Sequence, residues 1–382
     1  MSGFDTIQDL RVREQSTWIE LDHGALRHNL AKIISLTLPS AGVMAVVKAN
    51  AYGHGLLEVA ESIRDQVSYF GVASIDEALR LRASGFDTPI LLFGMPPLEA
   101  VEAAVQSEVT LAISSLEQAK MISSAAERLK KPAVVHIKVD TGMGRLGIPK
   151  GQALREMLVI SALPMLHLEG LFTHFPQGED RQDPFTARQI RSLHQILEQV
   201  AAQGIHFAHR HAANSIGIVN HRSSHLNLVR PGIMLYGLCP HSSLKAKVNL
   251  KPVLRWRARI ILLKTLSAGD STGYGRTFVA SEETTVGIVP VGYSHGYPFA
   301  LSNKGTVLFR GKSYPVAGRI SMDYLAVNLG ARVPNDCLGD VVTLLGREGE
   351  NQVSAELLAE KANTIPYEIV TQLSSSIPRF VV

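Results

Sequence analysis

The chain has only two cysteines in 382 residues, Cys239 and Cys337. Their spacing suits no metal site, and two are too few for a disulfide framework. Such usage fits a reducing compartment and predicts a cytoplasmic protein. A strong charge of either sign is also missing: 38 Lys and Arg stand against 34 Asp and Glu, a net charge of +4, and the basic residues are spread along the chain. That distribution argues against a nucleic-acid footprint, yet suits an anionic small molecule. No run approaches the ~20 apolar residues of a membrane span. Residues 1–10 (MSGFDTIQDL) lack the basic segment and apolar core of a secretory leader. Internal repeats, low-complexity tracts and linker-like stretches are absent as well. What is present is an ordinary soluble composition, 46% apolar and 19% charged. The chain is longer than one hydrophobic core usually supports, which predicts two domains.

Residues 17–21 (TWIEL) read as a short strand, and Asp22 as the cap of a helix reaching residue 36. Beyond it, apolar runs at 43–47, 69–73, 90–93, 110–113, 134–139, 166–173, 207–213 and 228–235 alternate with stretches of helical period at 56–63, 75–83, 98–105, 116–129 and 186–202. Eight apolar strands alternating with amphipathic helices over about 200 residues predict a (β/α)8 TIM-type barrel. A doubly wound open sheet is the alternative, weakened because no Gly-x-Gly-x-x-Gly turn follows the first strand. After residue 240 the texture changes. Residues 255–263 alternate polar and apolar, and short strands at 285–291, 305–309, 313–317, 325–329 and 341–345 are separated by Gly, Pro and Asn. The expectation is an α/β fold with a barrel over residues 1–240, followed by a mostly β domain over 241–382. Residues 1–20 are free to pair with the second domain, and one late helix lies at 355–362. The alternating Arg255, Arg257 and Arg259 then mark a solvated strand face rather than a nucleic-acid stripe.

Barrels of this kind keep their chemistry at the carboxyl ends of the strands. The residues where the apolar runs stop are Lys48, Ser74, Ser114, Lys138 with Asp140, His174, Asn214 with Ser215, and Arg230 with Gly232. They would bring a lysine, a base, hydroxyl and amide donors, a guanidinium and a glycine to one mouth. The stretch AVVKANAYGHG at 45–55 is central to the set. Lys48 closes an apolar strand and can hold a carbonyl cofactor as a Schiff base, while the glycine turn beside Tyr52 can approach a phosphate. Read singly, Lys48 is equally a lysine snorkelling from a strand end, and His174 a satisfied or surface histidine.

The stretch at 45–55 closely resembles the pyridoxal-phosphate (PLP) lysine motif of alanine racemases. Other strings resemble that family in the same order: KVDTGMGRLG (138–147), THF (173–175), ANS (213–215), VRPGI (229–233), GYGRTF (273–278), VGY (291–293), GRISMD (318–323) and PYE (366–368). The likeness spans residues 18–379. It implies a PLP-dependent enzyme interconverting L- and D-alanine and supplying D-alanine for the cell wall. Lys48 would carry the cofactor, and Tyr52, Ser215, Gly232, Ile233 and Tyr367 would hold its phosphate. Arg230 would face the pyridine nitrogen and, able only to donate, keep it unprotonated. A structural arginine–carboxylate pair is the other reading of Arg230. Racemisation removes a proton on one face and returns one on the other, and the resemblance supplies Lys48 and Tyr274 as the two bases. His174, linked toward Arg230, and the cation Arg145 would lower the Tyr274 pKa. Without the resemblance, Tyr274 in its glycine turn reads as a surface tyrosine.

By the same likeness Arg145 and the Met322 backbone bind the substrate carboxylate, and Tyr293 with Tyr367 narrows the entrance. Lys138 matches a lysine often carbamylated in the family, where it orients the residue here numbered Arg145. His295 stands where an acidic residue is usual, and Ser321 where cysteine is common. The implied assembly is a homodimer whose active sites are shared between two chains, without a metal, nucleic acid or membrane partner. Three alternatives share parts of this pattern. A broader amino-acid racemase has the same residues. A PLP-dependent decarboxylase has the same architecture but calls for a carboxylate at the pyridine nitrogen. A non-enzymatic PLP carrier has no use for the second domain.

Overall fold

The computed structural model describes Val12, residues 14–331, Val333 and residues 336–382; the stretch 1–10 weighed above as a leader lies outside them. The chain divides into two compact units. One holds Ala25–Ala51 and Leu56–Lys251; the other holds Tyr52–Gly55, Pro252–Val382 and the described residues up to Gly24. Strand β1 (Thr17–Leu21) belongs to the second.

In the first unit, eight parallel strands follow one another: β2 (Gly42–Val46), β3 (Tyr69–Val72), β4 (Ile90–Leu92), β5 (Thr110–Ile113), β6 (Ala133–Asp140), β7 (Leu166–Phe172), β8 (His209–His211) and β9 (Leu228–Val229). Their order is β9-β2-β3-β4-β5-β6-β7-β8. The seam between β8 and β9 is spanned by Asn227 N–H donating to the Arg210 carbonyl (3.3 Å), Arg210 N–H to Asn227 Oδ1 (2.7 Å) and Arg230 N–H to the Ala213 carbonyl (2.9 Å). The result is a nearly closed parallel barrel. Strands β3, β4 and β5 are buried at every residue, which is why they read as unbroken apolar runs rather than alternations.

The outer helices include α1 (His23–Leu36), α2 (Leu56–Ile63), α3 (Ile75–Ala83), α4 (Leu98–Gln106), α5 (Leu116–Leu129), α6 (Ala153–Ser161), α7 (Pro184–Ala201) and α8 (Ser215–Asn220). Helix α6 had no counterpart among the expected elements, although it buries Ala153, Met157 and Ile160 at helical spacing. The apolar run 228–235 is strand only as far as Val229. Pro231 cannot donate to a ladder, and residues Ile233–Tyr236 form a buried 3-10 turn instead.

The second unit adds β10 (Leu254–Arg259), β11 (Leu262–Leu266), β12 (Thr284–Val289), β13 (Thr306–Phe309), β14 (Lys312–Ala317), β15 (Leu325–Gly330), β16 (Val341–Glu348), β17 (Asn351–Val353) and β18 (Arg379–Val381), with helices α9 (Ala355–Ala362) and α10 (Pro366–Thr371). The sheet runs β11-β12-β15-β14-β13-β16-β10-β1-β18, and β17 pairs with β16. The run 255–263 is two strands, because Ile260 and Ile261 turn their N–H groups to the Asp340 and Ile288 carbonyls. Strand β1 lies antiparallel to β10 and parallel to β18.

That pairing corrects the expectation of a solvated arginine face. Glu20 of β1 lies 3.2 Å from Arg255 Nε and 3.1 Å from Arg257 Nε, the second contact being close but poorly aligned as a hydrogen bond. Arg259 lies over the Trp18 ring at 5.3 Å. The face is therefore only partly solvated: the neighbouring first strand sets one carboxylate between two guanidinium groups on it. No helix among the described residues is long and apolar enough to cross a membrane.

Gly53 is the tightest backbone approach in the second unit. At φ +78°, a Cβ there would lie 1.8 Å from the Val370 carbonyl oxygen. Arg379 locks the turn by donating to the Gly53 carbonyl from Nε (3.1 Å) and Nη2 (2.8 Å). Gly53→Ala is expected to cost roughly 3 kcal/mol in urea unfolding, against about 1 kcal/mol for Gly204→Ala. Gly204 also has positive φ, but an added Cβ there meets nothing within 4 Å. Equal losses for the two variants would show that backbone contact at Gly53 is unimportant.

Candidate active site

Lys48 lies two residues past the end of β2 and opens an unusual turn. Ala49, Asn50, Ala51 and Tyr52 all have φ between +52° and +54°, a left-handed turn built without glycine. Each such residue costs about 1–2 kcal/mol, so specific contacts must hold the turn. Ala51 N–H donates to the Val47 carbonyl (2.7 Å), Asn50 N–H to Glu77 Oε1 (3.0 Å), and Leu56 N–H to Asn50 Oδ1 (2.9 Å). Glu77 also receives the Ala73 and Ser74 N–H groups (3.0 and 3.3 Å). Burial lowers the Lys48 pKa and the Arg145 cation lowers it further, against the opposing pull of Glu77. A larger share of neutral amine follows than for an exposed lysine.

The strand ends expected at the mouth fall into two groups. Ser74 and Asn214 serve as helix caps: Ser74 closes a capping box with Glu77 on α3, and Asn214 accepts the Gly217 N–H of α8. Ser114 donates its backbone N–H to Gln118 (2.7 Å). Asp140 accepts the N–H groups of Gly142, Met143 and Gly144 at 2.8 to 2.9 Å, which shapes the loop that carries Arg145. Burial raises the Asp140 carboxyl, but these three donors outweigh it and hold the group below its ordinary range.

The second group is a set of cations. Lys138 is 5% exposed, and burial together with Arg145, Arg230 and Lys48 brings its pKa down to about 8. His174 is pushed down to about 2, first by burial and then by Arg230, Lys138, Arg145 and Lys48, so it is a neutral imidazole. Arg230 donates to the Thr173 carbonyl (2.8 Å), the Ala212 carbonyl (2.9 Å) and His211 Nδ1 (2.8 Å), with His174 Nδ1 at 3.3 Å. The arginine–carboxylate reading does not hold: these partners are carbonyls and imidazoles. Burial alone brings Arg230 down to about 9, so it stays charged at neutral pH. The region calls for an anionic ligand.

Beside these cations, Ser215 Oγ accepts the Gly232 N–H at 3.1 Å, and Ile233 begins the 3-10 turn. A hydroxyl and backbone donors thus lie together in the barrel unit. In the second unit Tyr52 and Tyr367 have ring centroids 6.2 Å apart, and burial, then Tyr367, raises the Tyr52 pKa. Tyr274 is 72% exposed and Met322 56% exposed. A cavity of about 400 Å³ in this unit is lined by Gly273, Tyr274, Arg319, Ser321 and Tyr324 among others. Tyr293 is exposed too. His295 accepts the Gly292 N–H (3.3 Å), and Ser321 Oγ donates to the Tyr324 carbonyl (2.8 Å).

Sequence reasoning overlooked Glu77, His136, Glu169, His211 and Arg379. The signal for His136 and His211 was a polar residue inside an apolar strand, His136 standing two positions before Lys138 and so on the same face. Among the described residues there is no group of His, Cys, Asp or Glu that could hold a metal ion.

Two family models match the chain: the alanine racemase N-terminal domain over residues 21–240 and the alanine racemase C-terminal domain over residues 253–381. An alanine racemase of Methanococcus maripaludis is 38% identical over 365 residues, 95% of this chain and 97% of that one. The solved alanine racemase of Clostridium difficile matches with a TM-score of 0.92 at 32% identity, covering 97% of this chain and 96% of that one. A Bartonella henselae alanine racemase, solved with covalently bound pyridoxal phosphate, matches with a TM-score of 0.85 at 30% identity, covering 96% of this chain and all of that one. With both domains matched in order and the similarity running nearly end to end, this chain belongs to the alanine racemase family.

Proposed function

We propose that this enzyme interconverts L- and D-alanine with pyridoxal phosphate held at Lys48 and with Lys48 and Tyr274 as the two bases. The observation that carries the reading is the donor set around Lys48: a lysine of lowered pKa, a buried Arg230 bound to carbonyls and imidazoles, and the Ser215 hydroxyl beside Gly232. These groups fit the cofactor's three handles, with the amine for its aldehyde, the guanidinium for its ring nitrogen, and the hydroxyl and backbone N–H groups of Ser215, Gly232 and Ile233 for its phosphate. Tyr52 and Tyr367 complete the phosphate set. When bound, the cofactor draws electrons from the substrate Cα and makes its proton acidic.

Freed when the substrate amine takes its place on the cofactor, Lys48 would take or return the Cα proton on one face, and Tyr274 would do so on the other. Arg230 can only donate, so it leaves the ring nitrogen unprotonated and limits electron withdrawal. That moderation suits racemisation better than decarboxylation. Arg145 and the Met322 backbone bind the substrate carboxylate, while Tyr293 and Tyr367 restrict the entrance to a small side chain. The D-alanine formed supplies cell-wall synthesis in the cytoplasm. Lys48→Ala is expected to lose the visible absorption of the lysine-bound cofactor and to lower racemisation by ~10³-fold or more in both directions. Borohydride reduction and peptide mapping that found the cofactor on another lysine would refute the assignment.

Lys138 is the carbamylation site in this reading. Carbamate formation needs a neutral amine, which a pKa near 8 provides, and the product's negative charge would be favoured among Arg145, Arg230 and Lys48. Protein equilibrated with ¹³C-bicarbonate should show a carbamate carbonyl signal that Lys138→Ala removes. A spectrum without that signal would exclude the modification.

The exposure of Tyr274, Met322 and Tyr293 supports a homodimer in which each chain offers these residues to its partner's Lys48. Lys48→Ala and Tyr274→Ala chains, each nearly inactive, are then expected to regain activity when refolded together. Random pairing makes half the dimers mixed with one intact site each, so about a quarter of the wild-type rate is the ceiling. No recovery, with mixed dimers demonstrated, would place both bases in one chain.

A further inference from the structure

Arg230 is charged and buried, yet its side-chain partners are imidazoles. Its contact with His211 opens onto a line of polar side chains in the barrel unit. His211 Nε2 lies 2.9 Å from His136 Nδ1, and His136 Nε2 lies 3.0 Å from Glu169 Oε2, to which the Tyr69 hydroxyl also donates. His136 and His211 are fully buried, whereas the Glu169 side chain is 21% exposed. Phe172 stacks on His211, with centroids 4.7 Å apart and planes within 7°, and Arg230 lies over the same Phe172 ring at 5.5 Å. Gly170 makes the line possible, since a Cβ there would fall 2.5 Å from the His136 ring.

Every hydrogen bond in the line has one allowed direction. A guanidinium has no acceptor, so Arg230 donates and His211 Nδ1 must be bare. A neutral imidazole carries one proton, so His211 holds it on Nε2 and donates to His136 Nδ1. His136 is thereby left with its proton on Nε2, which it donates to Glu169. Burial keeps both imidazoles neutral, lowering His136 against the pull of Glu169 and lowering His211 with help from Arg230. Burial raises the Glu169 carboxyl, but the hydrogen bonds from His136 and Tyr69 more than offset this and leave it ionised. Those two hydrogen bonds outweigh the electrostatic pull of His136 and His209 in holding the carboxylate. His209, 5.3 Å from the Tyr69 ring and 5.8 Å from the His136 ring, and Lys138 and His174 near Arg230 are the other titratable neighbours.

We propose that Glu169, acting through His136 and His211, is the remote counter-charge of Arg230 and fixes it as a donor toward the cofactor's ring nitrogen. The inference rests on the role given to Arg230 above. Glu169, His136 and His211 are positioning residues. The carboxylate sets both tautomers, and the bare His211 Nδ1 holds the guanidinium. A reversed tautomer would aim an N–H at Arg230 and displace it.

The test uses the holoenzyme with ¹⁵N-labelled histidine and, separately, cofactor labelled with ¹⁵N in its ring. In the wild type His136 and His211, identified through the His136→Gln and His211→Gln variants, are expected to show bare Nδ1 and protonated Nε2. In Glu169→Gln, which keeps the side chain's shape, the ring-nitrogen signal should shift. The alanine kcat should fall by about tenfold, the order of loss when an outer partner of a metal ligand is removed, with KM little changed. Glu169→Asp should recover part of both. Protonated Nδ1 on either histidine in the wild type would overturn the proposal without Glu169 having to be changed. So would a Glu169→Gln holoenzyme with unchanged ring-nitrogen signal and kcat. A protein that takes up no labelled cofactor would instead overturn the function on which the proposal rests, while the imidazole tautomers could still be read in the unliganded chain.

Discussion

A buried guanidinium with no carboxylate in contact among the described residues governs the barrel unit. Desolvating Arg230 brings its pKa down to about 9, and an unpaired buried charge is costly. The fold meets that cost with two strand-end carbonyls and two imidazoles. Placing a carboxylate in contact would have been simpler, but the region would then have lost its positive character. By keeping Glu169 two imidazoles away, the protein stabilises Arg230 while leaving Lys48, Lys138, Arg145 and Arg230 as a group attractive to anions.

Strain at Lys48 follows a related logic. Four successive left-handed residues are expensive, and such outliers persist where surrounding contacts over-determine them. Glu77 alone accepts backbone N–H groups from Asn50, Ala73 and Ser74. It therefore ties the turn after β2 to the start of α3 while placing a negative charge near the Lys48 amine. One carboxylate serves as helix cap, turn clamp and electrostatic neighbour, and removing it would disturb all three.

The second unit is closed by distant parts of the chain. Strand β1 lies between β10 and β18, so residues near both ends of the described chain complete one sheet. Glu20 joins Arg255 and Arg257, and Arg379 reaches the Gly53 carbonyl. Segments distant in sequence thereby form one unit, and the turn at Tyr52–Gly55, which the chain reaches from the barrel, belongs to it.

The sequence alone determined the barrel, since apolar runs and helical periods are local consequences of burial on both strand faces. Helices at 56–63, 75–83, 116–129 and 355–362 were legible to the residue. The family was legible because several motifs occur in one order. Tertiary structure decided the partners. Ser74 as a cap was open to local reading, since Ser74-Ile-Asp-Glu77 has capping-box spacing, but the reach of Glu77 onward to the Asn50 N–H was not. The arginines of β10 looked fully solvated because periodicity reports which residues share a face, while the carboxylate that pairs with them there, Glu20, lies more than two hundred residues earlier. The line from Arg230 to Glu169 was illegible for the same reason. His136, Glu169, His211 and Arg230 come from separate segments, and only the closing of the barrel brings their protons and lone pairs into register.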